Sequence, residues 1–579
     1  MQTTRMPAPA DFDLTNPLIV TSDRTLLLEV DNPKYTACRD AIAAFAELEK
    51  SPEHIHTYKI SPLSLWNAAA AGHTAEAVCD VLARFSKYPI PHNVIIDIRE
   101  LTSRYGRVRL ERATDGQRLA LICTDLALLE ELTRQPKLKP YLGERLDPHR
   151  IAVEPGHRGV IKQVLIGLGY PAEDLAGYTE GAPLPMQLRT LMPNGMPFVV
   201  RDYQRQAADV FYAGGGVKGG SGVVVLPCGA GKTIVGIAAM ALIQRKTLVL
   251  TTSNTSVKQW RREILEKTTL REDQVTEYTG EAKEIGPVTI ATYQILTYRP
   301  AKSQEYPHFK LFDNEDWGFI IYDEVHLLPA PVFRVTATIQ ARRRLGLTAT
   351  LIREDGCEGE VFSLIGPKKY DVPWRELESR GWIATAGCTE IRVVLPDEIR
   401  MNYAVAEQRE KYRIASENPL KDEVVAKLLD QYQDQRVLII GQYLSQLRNL
   451  AKRFDLPLIT GSTPQAEREK LYNEFRKGTL RHLILSKVGN FAVDLPDANV
   501  LIQVSGTFGS RQEEAQRLGR ILRPKSHGEA ARFYTLVSRD TREQDFAQHR
   551  QLFLTEQGYS YSITDEAHYG VVLKSTLER

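Results

Sequence analysis

Cysteine is scarce. The six in 579 residues (Cys38, Cys79, Cys123, Cys228, Cys357 and Cys388) are scattered, with no CxxC pair and no neighbouring His-x-His. That spacing argues against a zinc ribbon or a four-cysteine iron–sulfur cluster and makes reduced thiols the default. No apolar run approaches the ~20 residues a membrane-spanning helix needs. The opening stretch, MQTTRMPAPADFDL, lacks the charged-then-apolar layout of a secretory signal, so a cytoplasmic, non-membrane protein is expected. An excess of one charge is missing too. With 74 Lys+Arg against 72 Asp+Glu the net charge is +2, so a nucleic-acid site would have to be a local groove. No repeat of solenoid period and no low-complexity tract is found.

What is there is an ordinary globular composition, 43% apolar and 25% charged, in a chain long enough for three or four domains. Between Pro62 and Thr124 the pattern predicts two helices, Ser64–Ala71 and Thr74–Phe85, with Gly72 ending the first and Thr74 capping the second. A weaker helix after Pro91 precedes a hairpin in GRVRLERATDGQRLALIC, where Asp115-Gly116 supplies the turn. Helices followed by a hairpin resemble a winged-helix module whose wing carries Arg107, Arg109, Arg112 and Arg118. The same pattern equally fits the solvated face of a small α/β domain.

From about Met196 the texture changes. GVVVLP, KTLVLTT, PVTIAT and GFIIYD are near-continuous apolar runs separated by amphipathic stretches. Such runs suit strands buried on both faces of a parallel sheet. The texture breaks near Gly366-Pro367 and resumes with RVLIIG, LPLIT, RHLILS, NVLIQVS and RFYTLV. Two sets of βα units predict two α/β domains.

The chemistry-bearing segments fall on this frame. Leu226, Pro227, Cys228, Gly229, Ala230, Gly231, Lys232 and Thr233 follow an apolar strand and open a helix, the context of a phosphate-binding loop. Gly229 and Gly231 let backbone N–H groups face phosphates at the positive end of a helix. Lys232 is placed for the β/γ-phosphates and Thr233 for Mg²⁺. The strict pattern has Gly where Leu226 stands. Asp323 and Glu324 follow the buried run Phe319–Tyr322; the first is placed to hold Mg²⁺ and the second to orient or activate the attacking water. In the second α/β set, Gln516-Arg-Leu-Gly-Arg-Ile-Leu-Arg523 puts Arg520 and Arg523 three residues apart on one helical face. Arginines supplied across a cleft stabilise a transferring phosphoryl group.

The ordered set Gly229–Thr233, Asp323-Glu-Val-His326, Gly346-Leu-Thr-Ala-Thr350 and Gln516–Arg523 resembles the superfamily 2 helicases, from about Met196 to the mid-500s. The resemblance assigns Arg201 and Gln204 of Arg-Asp-Tyr-Gln to adenine reading. It assigns TTSNTSVKQW, with Thr251 and Trp260, and ATYQIL, with Thr292, to strand tracking. It assigns His326, Thr348 and Thr350 to coupling hydrolysis with domain movement. Arg353, Glu354 and Asp355 resemble the RED motif of XPB-type DNA helicases, and the segments from Pro373 and from Ser486, with Lys487, are similar to that family. A DNA-gripping thumb is implied at about 397–422, including Arg409 and Lys411.

The family implies two RecA-like parallel-sheet motor domains behind an α/β N-terminal region: 1–185 for DNA-damage recognition or partner binding, 186–369, and 370–579. It implies ATP and Mg²⁺ as cofactors and 3′–5′ movement on DNA at a single-strand/duplex junction. The expected setting is DNA repair of the nucleotide-excision kind, with a nuclease or other repair protein admitted as partner. A duplex translocase without strand separation and a DNA-stimulated ATPase switch remain open alternatives.

Overall fold

Strands whose residues are apolar on both sides can only sit inside a layered sheet, and every apolar run named above becomes one. In this computed structural model the described residues are 13–50, 54–113, 118–216, 218–227, 229–298, 307–309, 315–328, 332, 343–349, 358–372, 377, 380, 386–486, 498–506, 531–556 and 560–571. They fall into two compact units divided after Val372, with Pro227–Ala230 counted in the second. Among the described residues no helix is long and apolar enough to cross a membrane.

The first unit opens with β1 (Leu18–Val20), β2 (Thr25–Glu29), β3 (Glu47–Lys50) and β4 (Ile55–Lys59), an antiparallel sheet of order β1-β2-β4-β3, with α1 (Tyr35–Ile42) between β2 and β3. Helices α2 (Pro62–Ala70), α3 (Ala75–Phe85) and α4 (His92–Arg104) follow. Their starts obey local chemistry. The Ser61 hydroxyl accepts from the Ser64 amide ahead of Pro62, and the Thr74 hydroxyl accepts from Ala77. Gly72, at φ +97°, makes the turn between α2 and α3.

The hairpin forms as β5 (Val108–Arg112) and β6 (Leu119–Cys123), but it is not a wing. With α5 (Leu126–Arg134), β7 (Arg145–Asp147), β8 (Arg150–Val153), α6 (Arg158–Gly167) and β9 (Glu173–Asp174), it builds a five-stranded sheet of order β7-β8-β6-β5-β9. Strand β6 is buried along its whole length, enclosed by β8 and β5. The arginines are tied to neighbours of their own: Arg107 to the Ser103 carbonyl, Arg112 to the Ala176 carbonyl, Arg118 to Glu144 and Arg109 to Glu111. The small α/β domain is the reading that holds. Asp174, ending β9, accepts from Arg158 and from Lys162 of α6, a largely buried ion cluster that fixes the last strand to its helix.

Next come α7 (Asp202–Tyr212), β10 (Ser221–Val225), α8 (Lys232–Ile243), β11 (Thr247–Thr251), α9 (Asn254–Lys267), β12 (Val275–Tyr278), β13 (Val288–Thr292), α10 (Tyr293–Thr297), β14 (Phe319–Asp323), β15 (Arg343–Thr348) and β16 (Lys368–Asp371). The sheet order is β12-β13-β11-β14-β15-β10-β16, parallel throughout. Its core gathers Val223, Leu248, Trp317, Ile320 and Tyr322, all fully buried. Sequence periodicity did not single out β12 or β16, which are short edge strands with less apolar composition.

The second unit repeats the architecture. Its strands are β17 (Ala386–Val393), β18 (Val437–Gly441), β19 (Leu458–Ile459), β20 (His482–Ser486), β21 (Val500–Gln503), β22 (Ala531–Ser538) and β23 (Ser560–Asp565). They form an all-parallel sheet of order β19-β20-β18-β21-β22-β17-β23. The 397–422 segment is helical, as Asp397–Val405, Gln408–Ser416 and the start of Leu420–Gln431. None of the residues in the first of these helices is buried, and Met401 and Val405 are exposed. Lys411 places its ammonium 5.6 Å from the centre of the Tyr403 ring.

Candidate active site

Open parallel sheets offer their carboxyl edge to ligands, and the strand register puts the motifs there. Thr251 pairs with Thr292, Leu250 with Tyr322, and Asp323 with Leu347, so the carboxyl ends of β11, β13, β14 and β15 lie side by side. Strand β10 ends at the same edge, Val225 opposite Thr348. The buried Leu226 then donates its amide to the Thr348 carbonyl at 3.0 Å. Leucine at this loop position is therefore a core residue that anchors the start of the turn.

Gly229 and Gly231 both adopt φ +80°, the left-handed region that glycine enters without a Cβ penalty. Gly231 caps α8 without a side chain, leaving the helix's opening amides facing the turn. A Cβ on Gly231 would lie 2.5 Å from Gln204 Nε2, so Gln204 packs directly on the loop. Gln204 is buried and accepts from the Arg201 amide at 3.0 Å, which fixes the start of α7.

Lys232 begins α8 and sets its ammonium 3.3 Å from Glu324. Glu324 itself has φ +50°, a strained conformation for a non-glycine residue that costs about 1–3 kcal/mol and turns successive acids toward one site. His326 follows, with Nδ1 2.6 Å from the Thr348 hydroxyl and 3.6 Å from Glu324. Trp260 donates its indole N–H to Asp323 at 2.8 Å. The Tyr293 hydroxyl donates to the Asp323 carbonyl at 2.9 Å.

The electrostatics separate the two acids. Burial, and then the Glu324 charge, push the Asp323 carboxyl above its ordinary value, against the pull of Trp260 and Lys232. Burial also pushes Glu324 upward, but the Lys232 ammonium and His326 outweigh it and hold that carboxyl below its usual range. These residues suit a magnesium nucleotide: a glycine turn open to phosphate, an ammonium paired with a carboxylate, and a half-buried second carboxyl braced from behind. Thr233, in the first turn of α8, and Asp323 are the residues that would hold the metal ion.

A family model described as "ERCC3/RAD25/XPB C-terminal helicase" matches residues 377–574. "Type III restriction enzyme, res subunit" matches 197–353, and "Helicase conserved C-terminal domain" matches 18–147. The "DNA 3'-5' helicase XPB" of Kineococcus radiotolerans is 56% identical over 95% of this chain and 96% of its own. That of Mycobacterium tuberculosis is 55% identical over 95% and 98%. The chain belongs to the XPB helicase family. A more distant relative is the "General transcription and DNA repair factor IIH helicase/translocase subunit XPB" of Enterocytozoon bieneusi, 34% identical over 94% of this chain and 92% of its own.

Within this XPB-family chain the first-unit residues expected at the nucleotide, Gln204, Gly231, Lys232, Asp323 and Glu324, lie along one sheet edge. The residues expected to track the strand do not behave as surface contacts. Thr251, Trp260 and Thr292 are 0%, 1% and 2% exposed, so their side chains cannot touch a nucleic acid in this state. The Thr251 hydroxyl accepts from the Thr252 amide, Thr292 caps α10, and Trp260 braces Asp323. Thr348 is likewise buried and linked to His326. Cys228, Thr350, Arg353, Glu354, Asp355, Lys487, Gln516, Arg520, Arg523 and the Arg409 side chain lie outside the described residues.

Two contributors escaped the sequence reading. Tyr293 carries no local signal of its role. Gly236 does, as an isolated glycine inside a helical run: a Cβ there would lie 2.6 Å from Trp260 Cη2.

Proposed function

We propose that Lys232, Thr233, Asp323 and Glu324 form the ATP-hydrolysing wall of a 3′–5′ DNA helicase/translocase of the XPB type. The observation that carries the reading is the Lys232–Glu324 ion pair beside the Trp260-braced Asp323. Lys232 neutralises phosphate charge when it leaves Glu324. Glu324, released from Lys232, orients and activates the attacking water. A bound Mg²⁺ would supply neutralisation of phosphate charge. Asp323 and Thr233 fix its place, and the Trp260 indole holds the Asp323 carboxyl in orientation.

His326 and Thr348 join the acid motif to the end of β15, so a shift at Glu324 is transmitted toward Thr350 and the Arg353-Glu354-Asp355 triplet. Arg520 and Arg523, with Gln516, serve the same hydrolysis by stabilising the transferring phosphoryl group. Arg201 and Gln204 read the base. The helical segment 397–422, with Arg409 and Lys411, grips DNA together with Lys487 at the strand junction. The domain limits are 1–185, 186–369 and 370–579. The setting is DNA repair in the cytoplasm, acting beside a nuclease or other repair protein.

The test is steady-state ATP hydrolysis with no nucleic acid, single-stranded DNA, duplex DNA and RNA, paired with strand displacement on a 3′-tailed duplex. Stimulation by DNA well above RNA, with displacement, is expected. Turnover indifferent to every track would replace the motor with an ATP-driven switch.

A further inference from the structure

An open groove of about 620 Å³ lies on the first unit against α9, lined by Arg189, Lys258, Arg261, Arg262 and Arg271 over an apolar floor of Leu265 and Leu270. Two of these cations are fixed in advance. Arg189 Nε donates to the Thr268 carbonyl at 2.6 Å, just past the end of α9, and Arg261 Nε donates to the Val275 carbonyl at 3.2 Å. A guanidinium held through Nε keeps its Nη fork for a carboxylate or phosphate, with little rotamer entropy left to lose. Lys258, Arg262 and Arg271 are exposed around them, with Arg271 donating to Asp273 through Nε and Nη2 at 3.0 Å each.

Beside the groove stands an apolar projection. Residues 190–198 form a tight hairpin in which Leu191 pairs with Pro197, Met192 accepts from and donates to its neighbours across the turn, and Gly195 takes φ +80°. On and next to it Leu191, Met196 and Val199 are 59%, 54% and 75% exposed. Pro193 of the hairpin also lines the groove, so basic cleft and apolar ridge are one surface.

Its position separates it from the nucleotide edge. Val275 opens the edge strand β12 and is level, through Val288 and Thr247, with Phe319 at the amino end of β14. Asp323 is four residues further along β14, roughly 13 Å at the rise of a strand. The Val275 end of the groove therefore lies away from the carboxyl edge that carries the motor chemistry. Three glutamates, Glu266, Glu272 and Glu277, also line it. These disfavour a continuous phosphate backbone, whereas a peptide can place its own charges between them.

We propose that this surface docks an acidic segment of a partner protein in which Asp or Glu alternates with Leu or Phe. The carboxylates enter the arginine forks, and the apolar side chains cover Leu191, Met196 and Val199.

Fluorescence anisotropy on the full chain decides it, with three labelled probes: a peptide of alternating Asp/Glu and Leu/Phe, a polyglutamate peptide, and a short duplex DNA. The alternating peptide should bind at least about tenfold more tightly than polyglutamate. Arg262→Glu with Arg271→Glu should weaken it by at least about tenfold, and Leu191→Ser with Met196→Ser should remove its advantage over polyglutamate. Both double variants should keep DNA-stimulated ATP turnover, which reports that the fold is intact. No peptide binding, or binding indifferent to both double variants, overturns the proposal. Loss of duplex affinity in step with the arginine changes would instead make the groove a nucleic-acid surface and overturn it equally.

Discussion

The indole N–H of Trp260 donates a 2.8 Å hydrogen bond to the carboxylate of Asp323, with the indole buried and the carboxylate half-buried. A tryptophan in a strand-tracking segment thus serves as a brace for the acidic motif. Trp260→Phe keeps the apolar bulk and deletes the donor. It should cost about 1.5–3 kcal/mol, the worth of a buried bond to a charged group, and raise the Mg²⁺ concentration needed for half-maximal ATP turnover. A magnesium titration of the ATPase checks it, and an unchanged titration would refute the bracing role.

Gly236 is the space in which that indole sits. Because an added Cβ would lie 2.6 Å from Trp260 Cη2, Gly236→Ala must displace the ring or α8. The expected destabilisation is about 1–3 kcal/mol, despite alanine's better helix propensity. Urea unfolding measures it; a variant more stable than the parent would mean that the ring yields freely.

Lys232→Ala removes the ammonium 3.3 Å from Glu324. ATP turnover should fall by about 10²-fold or more, the scale for losing one preorganised charge-stabilising group. DNA binding in the absence of nucleotide should persist. Retained turnover would dismantle the site assignment.

In the second unit Lys421 and Glu543 form an ion pair with both side chains 0% exposed, and Glu543 also accepts from the Ser538 amide. Lys421→Met strands a buried carboxylate and should cost about 3–5 kcal/mol. Adding Glu543→Leu should recover part of that loss. Chemical denaturation of the two variants gives the comparison.

His56 links the N-terminal sheet's stability to pH. Burial, and then Arg39, bring its imidazole from 6.5 down to about 4, and its Nδ1 lies 2.9 Å from the Tyr35 hydroxyl. Between those values the unfolded chain takes up a proton that the folded chain refuses, so stability falls as pH drops from 6.5 toward 4. His56→Gln should flatten this dependence. Thermal melts at about pH 7 and pH 5, bracketing part of that window, would reveal it as a smaller drop in Tm for the variant.

Much of the molecule is written in short windows of sequence. The apolar runs dictate strands buried on two faces, the Ser61 and Thr74 caps dictate helix starts, and Gly229 and Gly231 dictate a turn open to phosphate. Each depends on residues a few positions apart, so backbone sterics and burial suffice to predict it. The hairpin at 108–123 was equally visible, but whether it stood free was not. That depended on β8 and β9, which flank it only once the sheet is assembled.

The same limit applies to the active site. Nothing near Trp260 announces Asp323, sixty-three residues later; strands β11 and β14 become neighbours only through the order of the parallel sheet. Likewise Arg189, Arg261 and the exposed hairpin become one surface because the chain before α7 returns along the end of α9. Sequence determined which residues could hold phosphate and acid. Tertiary packing decided which threonines and which tryptophan were buried as supports, because burial is set by all the neighbours a side chain acquires and only a few of them lie nearby in the chain.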